Sequence, residues 1–174
     1  MARRSLATTA LALIVALFSL GATEPVKPID QLSWLVGGVW SAQPPVSADG
    51  PQRIETRYEW TPNHGFIRFT TKFVMTNGSN AGYAGDLFFD PADKTLRIWY
   101  MDENNTITQG PMIVDGDKMT VTFRDSGDFV GVAGPVDYRV DVVRTTPDTY
   151  QWTLFANVAQ TWKKVFALVY QRSQ

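Results

Sequence analysis

The 174-residue chain contains no cysteine and only one histidine, His64. Disulfide bonds are therefore excluded, and stability has to come from packing of the interior. One histidine without cysteine also removes the usual residues of zinc sites and of most nucleophilic catalysis. A block of lysine and arginine is the usual sign of a nucleic-acid partner, and this chain has no such block. We therefore expect no metal, no cofactor and no nucleic-acid partner.

Long apolar runs are missing except in residues 11–20, which follow Arg3 and Arg4 and precede Gly21 and Ala22. This order is typical of a signal peptide over residues 1–22, cleaved between residues 21 and 23. The run is shorter than the roughly 20 residues that span a bilayer, and no cysteine follows it for lipid attachment. We expect an exported protein, periplasmic or extracellular, without a stable membrane anchor, with residues 23–174 forming one domain.

No segment shows the helical period over any useful length, whereas period-two alternation is frequent. In residues 53–60, Ile54, Thr56, Tyr58 and Trp60 alternate with charged residues. A strand places such residues on two opposite faces, whereas a helix would scatter them around its axis. The segment is therefore predicted to be a strand with one face inward.

The next alternating segment places Phe69 and Phe73 on one face and Arg68 and Lys72 on the other. Both charged side chains are expected to face Glu55 and Glu59 across a hairpin. Each such pair of opposite charges stabilises a sheet by about 0.2–1 kcal/mol.

About ten short strands follow one another, separated by turn residues and preceded by a short helical turn over residues 29–35. Evenly spaced strands of this kind predict an all-β fold: an antiparallel up-and-down β-barrel, with a sandwich as the alternative. Proline cannot donate to a ladder, so a bulge or an edge is expected at Gly110-Pro111. The longest connection, residues 125–135, is a candidate lid at the open end.

The segment Trp34-Leu35-Val36-Gly37-Gly38-Val39-Trp40 stands at the start of the first predicted strand. It resembles the opening of lipocalin and calycin barrels, and most closely that of the exported bacterial lipocalin-like families of unknown function. The resemblance implies that Gly38 and Trp40 close the barrel floor, with Trp40 packed against a basic residue on the last strand. Arg172 fits that role. A cation over an indole ring contributes about 0.5–2 kcal/mol.

Nitrobindin-type haem barrels also have about ten strands and a Gly-x-Trp-x-Gly-x-Gly opening. Here Ala42 and Pro44 replace the later glycines, and no histidine stands near the C-terminal strands to bind iron. Haem binding in that arrangement is therefore disfavoured.

Aromatic residues are abundant, with six Trp, six Tyr and ten Phe. If the charged faces point outward, the inner face receives Tyr58, Trp60, Phe69, Phe73, Tyr100, Tyr138, Trp152 and Phe166. These side chains either line a pocket for a small apolar molecule or simply fill the barrel. The first interpretation predicts a barrel that binds a small hydrophobic or amphipathic ligand non-covalently.

Two alternatives stay open. One is an enzyme, an isomerase or hydrolase, in which His64 lies within hydrogen-bond reach of a carboxylate inside a pocket. The other is a filled structural or interaction module that acts through its outer surface. His64 lies in a turn-forming Pro-Asn-His-Gly sequence, which favours an exposed turn residue, and no catalytic residue is assigned. Asp86 and Asp90, and the Asp-Gly-Asp turn at residues 115–117, are likewise better explained as structural than as catalytic acids or calcium ligands.

Overall fold

The computed structural model describes residues 27–46, 50–126 and 131–173. The expected signal peptide lies outside these ranges, as does the middle of the 125–135 connection. The described chain begins with a 3-10 helix, Pro28–Leu35, in which Pro28 takes the first helical position. Proline suits that position because its missing N–H would have no partner there. The helix buries Ile29, Leu32 and Leu35, and the predicted helical turn is confirmed.

Ten antiparallel strands follow, numbered in chain order: β1 (Val39–Ala42), β2 (Pro51–Trp60), β3 (Phe66–Met75), β4 (Asn80–Asp90), β5 (Thr95–Asp102), β6 (Ile107–Asp115), β7 (Lys118–Ser126), β8 (Pro135–Thr146), β9 (Thr149–Val158) and β10 (Thr161–Ser173). Each strand pairs with its neighbours in sequence, and β1 also pairs with β10. The sheet therefore closes into a barrel without a free edge. The predicted all-β, up-and-down barrel is confirmed.

The β2–β3 hairpin has the expected charge pairing in its register. Glu55 lies opposite Lys72, and Glu59 lies opposite Arg68. The ion pair of Arg68 nevertheless goes to the next strand, where its Nε lies 3.1 Å from a carboxylate oxygen of Asp86. Asp86 is itself buried, and it is thereby accounted for as the ion-pair partner of the exposed Arg68.

The prediction of an edge at Gly110-Pro111 is wrong, because β6 pairs with strands on both sides. Its register with β5 runs without a shift through Pro111, opposite Arg97. The register with β7, in contrast, includes only residues from Met112 to Asp115. Because proline has no amide hydrogen, Pro111 marks the end of a ladder and not a bulge in one.

The two ends of the barrel differ. The connections that follow β1, β3, β5, β7 and β9 lie at one end, here called the open end. The 3-10 helix, the remaining connections and Arg172 near the end of β10 lie at the other, here called the closed end. In the ranges given above, no helix is long and apolar enough to cross a bilayer.

Candidate binding cavity

The floor of the barrel is built around Trp40, which is completely buried. Its indole Nε1 donates a hydrogen bond of 2.7 Å to the carbonyl oxygen of Leu35, at the end of the 3-10 helix. Arg172 lies opposite Trp40 in the β1–β10 register, and its guanidinium carbon is 4.3 Å from the centre of the indole ring. The same guanidinium donates a hydrogen bond to the carbonyl oxygen of Trp34. Helix, first strand and last strand are thus joined at one point.

Gly38 makes this junction possible. Its φ angle is +68°, in the left-handed region that favours glycine. A Cβ atom at this position would lie 2.6 Å from the carbonyl oxygen of Ser173 and 3.0 Å from Cγ of Arg172. The glycine of the Gly-x-Trp motif therefore allows the last strand to approach the first.

A cavity of about 560 Å³ occupies the open half of the barrel and is here called the upper chamber. The proline-containing connection after β1 borders it, and most of its wall is apolar, including Ile54, Phe73, Met75, Ala81, Phe166 and Leu168. Its volume lies within the roughly 300–1,000 Å³ typical of small-molecule sites. The open half of the barrel therefore holds the larger free space.

A second, smaller cavity of about 90 Å³ lies deeper and is here called the lower cavity. The two cavities share five wall residues: Tyr83, Tyr100, Phe123, Trp152 and Tyr170. They therefore abut, with one layer of aromatic side chains between them. These rings separate the space near the mouth of the barrel from the space near its floor.

The lower cavity is lined by a group of buried hydroxyls, here called the hydroxyl cluster: Thr56, Tyr58, Thr71, Tyr83, Tyr150 and Tyr170. The two threonine Oγ1 atoms are 2.9 Å apart and hydrogen-bonded. Tyr83 lies near Thr71 and Tyr170 lies near Thr56, and each threonine lowers the pKa of its neighbouring tyrosine against the larger effect of burial. Tyr58 and Tyr150 form a separate pair. The polar part of the interior therefore lies at its deep end.

Burial raises the pKa of the tyrosines around these cavities above the ordinary tyrosine value, because the apolar surroundings disfavour a phenolate. For Tyr150 the nearby Tyr58 and Tyr170 hydroxyls raise the pKa further. The cluster is consequently uncharged at neutral pH and acts only through neutral hydrogen bonds.

A third space, about 470 Å³ and here called the polar recess, opens beside the upper chamber between the ends of β4, β5, β6 and β7. Asp102, Glu103 and Asp125 line it. Asp125 accepts a hydrogen bond of 2.9 Å from Thr108 Oγ1, and Thr108 lies opposite Tyr100 in the β5–β6 register. The open end therefore carries negative charge on one side.

Comparison with known proteins adds structural neighbours. No protein-family model matches the chain, and no curated protein matches it. Among solved structures, the chain is similar to the crystal structure of Rv2717c from M. tuberculosis, with a TM-score of 0.51 and 17% sequence identity. The alignment covers 86% of this chain and 100% of that one. The likeness shows the fold alone.

Six of the eight aromatic residues predicted for the inner face line the cavities. Phe73 and Phe166 line the upper chamber, Tyr58 and Phe69 line the lower cavity, and Tyr100 and Trp152 line both. Their role in ligand binding stays a prediction.

Trp60 and Tyr138 line neither cavity. Trp60 lies at the closed end and stacks on His64, with ring centres 5.1 Å apart. Tyr138 is fully buried, stacks on Phe123, and donates a hydrogen bond of 2.8 Å to the carbonyl oxygen of Ser126. Both follow the inward alternation, but their places along the barrel axis put them beside other side chains and not beside open space.

Sequence reasoning did not select Tyr83, Tyr150, Tyr170, Thr56 or Thr71 as site residues. Alternation held the necessary signal for all five, since each shares the inward face of a strand whose parity was clear. Tyr170, for example, has the same parity as Phe166 on β10. The threonines were the harder case, because a small hydroxyl among apolar neighbours suits either face of a strand.

His64 does not belong to the cavities. It is exposed in the turn between β2 and β3, with a φ angle of +48°, and it lies at the closed end. In the described part of the chain it forms no ion pair with a carboxylate. The alternative of an enzyme that uses His64 beside a carboxylate in a pocket is therefore not supported.

The aspartates considered as calcium ligands or paired acids have structural partners. Asp117 forms a long ion pair of 4.0 Å with Arg144. Asp90 accepts a hydrogen bond from the backbone N–H of Ala92 in the following turn. Over residues 27–46, 50–126 and 131–173, no group of three or more His, Cys, Asp or Glu side chains is placed to hold a metal ion.

Proposed function

We propose that this protein is an exported, lipocalin-like barrel that binds a small hydrophobic or amphipathic molecule non-covalently in the upper chamber. The observation that carries the proposal is a largely apolar cavity of about 560 Å³ at one end of a barrel whose other end is closed. A filled structural module has no reason to keep such a space, because an unfilled apolar cavity destabilises a fold. The Gly38-x-Trp40 floor supports the lipocalin-like assignment.

Binding is tested by filling the chamber. Ala81 lines it, whereas Ala84, three residues further along the same strand, is exposed on the outer face. We expect Ala81→Trp to weaken binding of the neutral apolar dye Nile red by at least about tenfold, because the indole takes up the space of the ligand. Ala84→Trp, the matched control, is expected to bind like the unaltered protein.

Fluorescence titration measures both affinities, and thermal denaturation verifies that both variants are folded. The proposal is wrong if the unaltered protein does not bind the dye, or if a folded Ala81→Trp variant binds it equally well. Native mass spectrometry of protein purified from its own periplasm then identifies the molecule that co-purifies.

Export is part of the proposal and rests on Arg3, Arg4 and the apolar residues 11–20. Cell fractionation is expected to place the protein outside the cytoplasm, with a mature N-terminus between residues 21 and 23. A full-length protein found in the cytoplasm contradicts this part alone.

A further inference from the structure

The walls of the two cavities differ in polarity: the upper chamber is lined mainly by apolar side chains, whereas the lower cavity is lined by the hydroxyl cluster. The lower cavity, about 90 Å³, is large enough for a few water molecules or one small polar group, since a single water needs about 10–15 Å³. A molecule that enters with its polar group first brings that group to the hydroxyl cluster and leaves its apolar part in the upper chamber.

None of the residues that line the lower cavity or the upper chamber, among those described, is Lys, Arg, His, Asp or Glu. Arg172 lies over the ring of Trp40, which packs against Tyr150 with ring centres 4.7 Å apart, and its guanidinium donates a hydrogen bond to the carbonyl oxygen of Trp34. Lys163 and Lys164 are exposed at the start of β10 and line neither space. A carboxylate bound there would lose its hydration without gaining an ion-pair partner.

The hydrogen-bonding capacity of the cluster suits a neutral group. Thr71 and Thr56 are hydrogen-bonded to each other, and the hydroxyls of Tyr83 and Tyr170 line the same cavity. The threonine pair uses one of these four O–H groups, so O–H groups and lone pairs are left for a guest. An alcohol can both donate and accept, and it can therefore bond to whichever of these groups faces the lower cavity.

The polar recess at the open end acts in the same direction. Asp102, Glu103 and Asp125 line it, and it shares Phe73, Tyr83 and Tyr100 with the upper chamber. The three carboxylates repel an approaching anion on their side of the entrance and leave a neutral molecule unaffected, while Lys163 and Lys164 are exposed at the same end of the barrel on β10.

We infer that the barrel selects uncharged amphipathic molecules with a hydroxyl head group, which binds the hydroxyl cluster while the apolar part fills the upper chamber. The inference rests on the proposed function and narrows it: aliphatic or cyclic alcohols are ligands, and fatty-acid anions are not.

The test compares two ligands of equal chain length, decanol and decanoate, as competitors of Nile red at about pH 8, where the acid is ionised. We expect decanol to displace the dye at a concentration at least about tenfold lower than decanoate. Since an alcohol also leaves water more readily than an anion does, a second measurement locates the head group.

Thr71→Val removes a hydroxyl of the cluster without changing the shape of the side chain, and Thr70→Val makes the same change on the exposed face of β3. We expect Thr71→Val to weaken decanol binding by about 2- to 10-fold, the factor that one hydrogen bond gives. Its affinity for Nile red should stay as it is, and Thr70→Val should change neither affinity.

The outcomes separate the two proposals. If the dye does not bind to the unaltered protein, the proposed function itself fails and the inference fails with it. If the dye binds but decanoate competes as well as decanol, or if a folded Thr71→Val variant binds decanol unchanged, only the inference is overturned.

Discussion

Two glycines in this chain have the same backbone conformation but different surroundings. Gly38 and Gly78 have φ angles of +68° and +78°. A Cβ on Gly38 would meet the carbonyl oxygen of Ser173 at 2.6 Å, whereas one on Gly78 would meet nothing within 4 Å. Comparing alanine at the two positions separates the cost of the backbone conformation from the cost of opening the barrel seam.

We expect Gly78→Ala to lower the free energy of unfolding by about 1–2 kcal/mol, the cost of an L-residue in the left-handed region. Gly38→Ala is expected to lower it by at least about 3 kcal/mol, because β10 must also move away from β1. Urea denaturation followed by tryptophan fluorescence measures both values. Equal losses of free energy at the two positions would show that crowding of the added Cβ against Ser173 costs no stability.

At the scale of single residues, the sequence predicts which face a side chain belongs to. Tyr58 and Phe69 lie inward, as their alternation with charged residues indicated. Alternation does not give the depth of a residue along the barrel axis, because depth depends on strand tilt and on the register between strands. This is why Trp60, on the same face as Tyr58, lies outside both cavities.

At the scale of elements, tertiary pairing extends strands beyond their own sequence signal. β4 runs from Asn80 to Asp90 and includes Gly82. Gly82 has low strand propensity. It is nevertheless needed, because a Cβ there would lie 2.1 Å from the carbonyl oxygen of Thr71 on β3. Close packing between strands explains a residue that propensity alone would exclude.

The strand pair β6–β7 has a short ladder for the length of its two strands. Its register runs only from Met112–Val121 to Asp115–Lys118, and beyond that Thr108 and Asp125 connect the strands through side chains. Backbone amides of residues 107–110 and 122–126 are therefore expected to exchange hydrogen faster than those of β3, which is paired along most of its length with both neighbours.

Hydrogen–deuterium exchange followed by mass spectrometry resolves these segments. Peptides from β3 and from the β1–β10 seam are the internal controls. Protection in residues 107–110 and 122–126 that matches β3 would show that local pairing does not limit opening.

At the scale of the whole molecule, the buried tyrosines make stability depend on alkaline pH. The pKa of Tyr58, Tyr83, Tyr100, Tyr150 and Tyr170 is raised in the fold relative to the ordinary value of 10.0. Below about pH 10 both folded and unfolded tyrosines are protonated, and their contribution is fully present. As the pH rises further, the unfolded chain releases protons that the folded chain retains, so stability falls.

Each such tyrosine lowers the free energy of unfolding by up to about 1.36 kcal/mol per pH unit in this range. We expect tyrosinate absorbance of the folded protein to stay low at about pH 11, whereas protein unfolded in urea titrates near the ordinary value. The titration of the unfolded chain is the control. Full ionisation of the folded protein near pH 10 would mean that the cavities admit water freely.

Closure of the barrel has a consequence for the order in which the chain folds. The seam joins Val39 to Ser173, the first and last residues of the paired sheet. Contacts so far apart in sequence form late, because a long loop has to be closed before they stabilise the structure. Until β10 is synthesised, β1 has β2 as its one partner, and β9 presents an unpaired edge to other molecules. The last thirteen residues of the sheet therefore close the barrel and cover the edge through which an incomplete chain could aggregate.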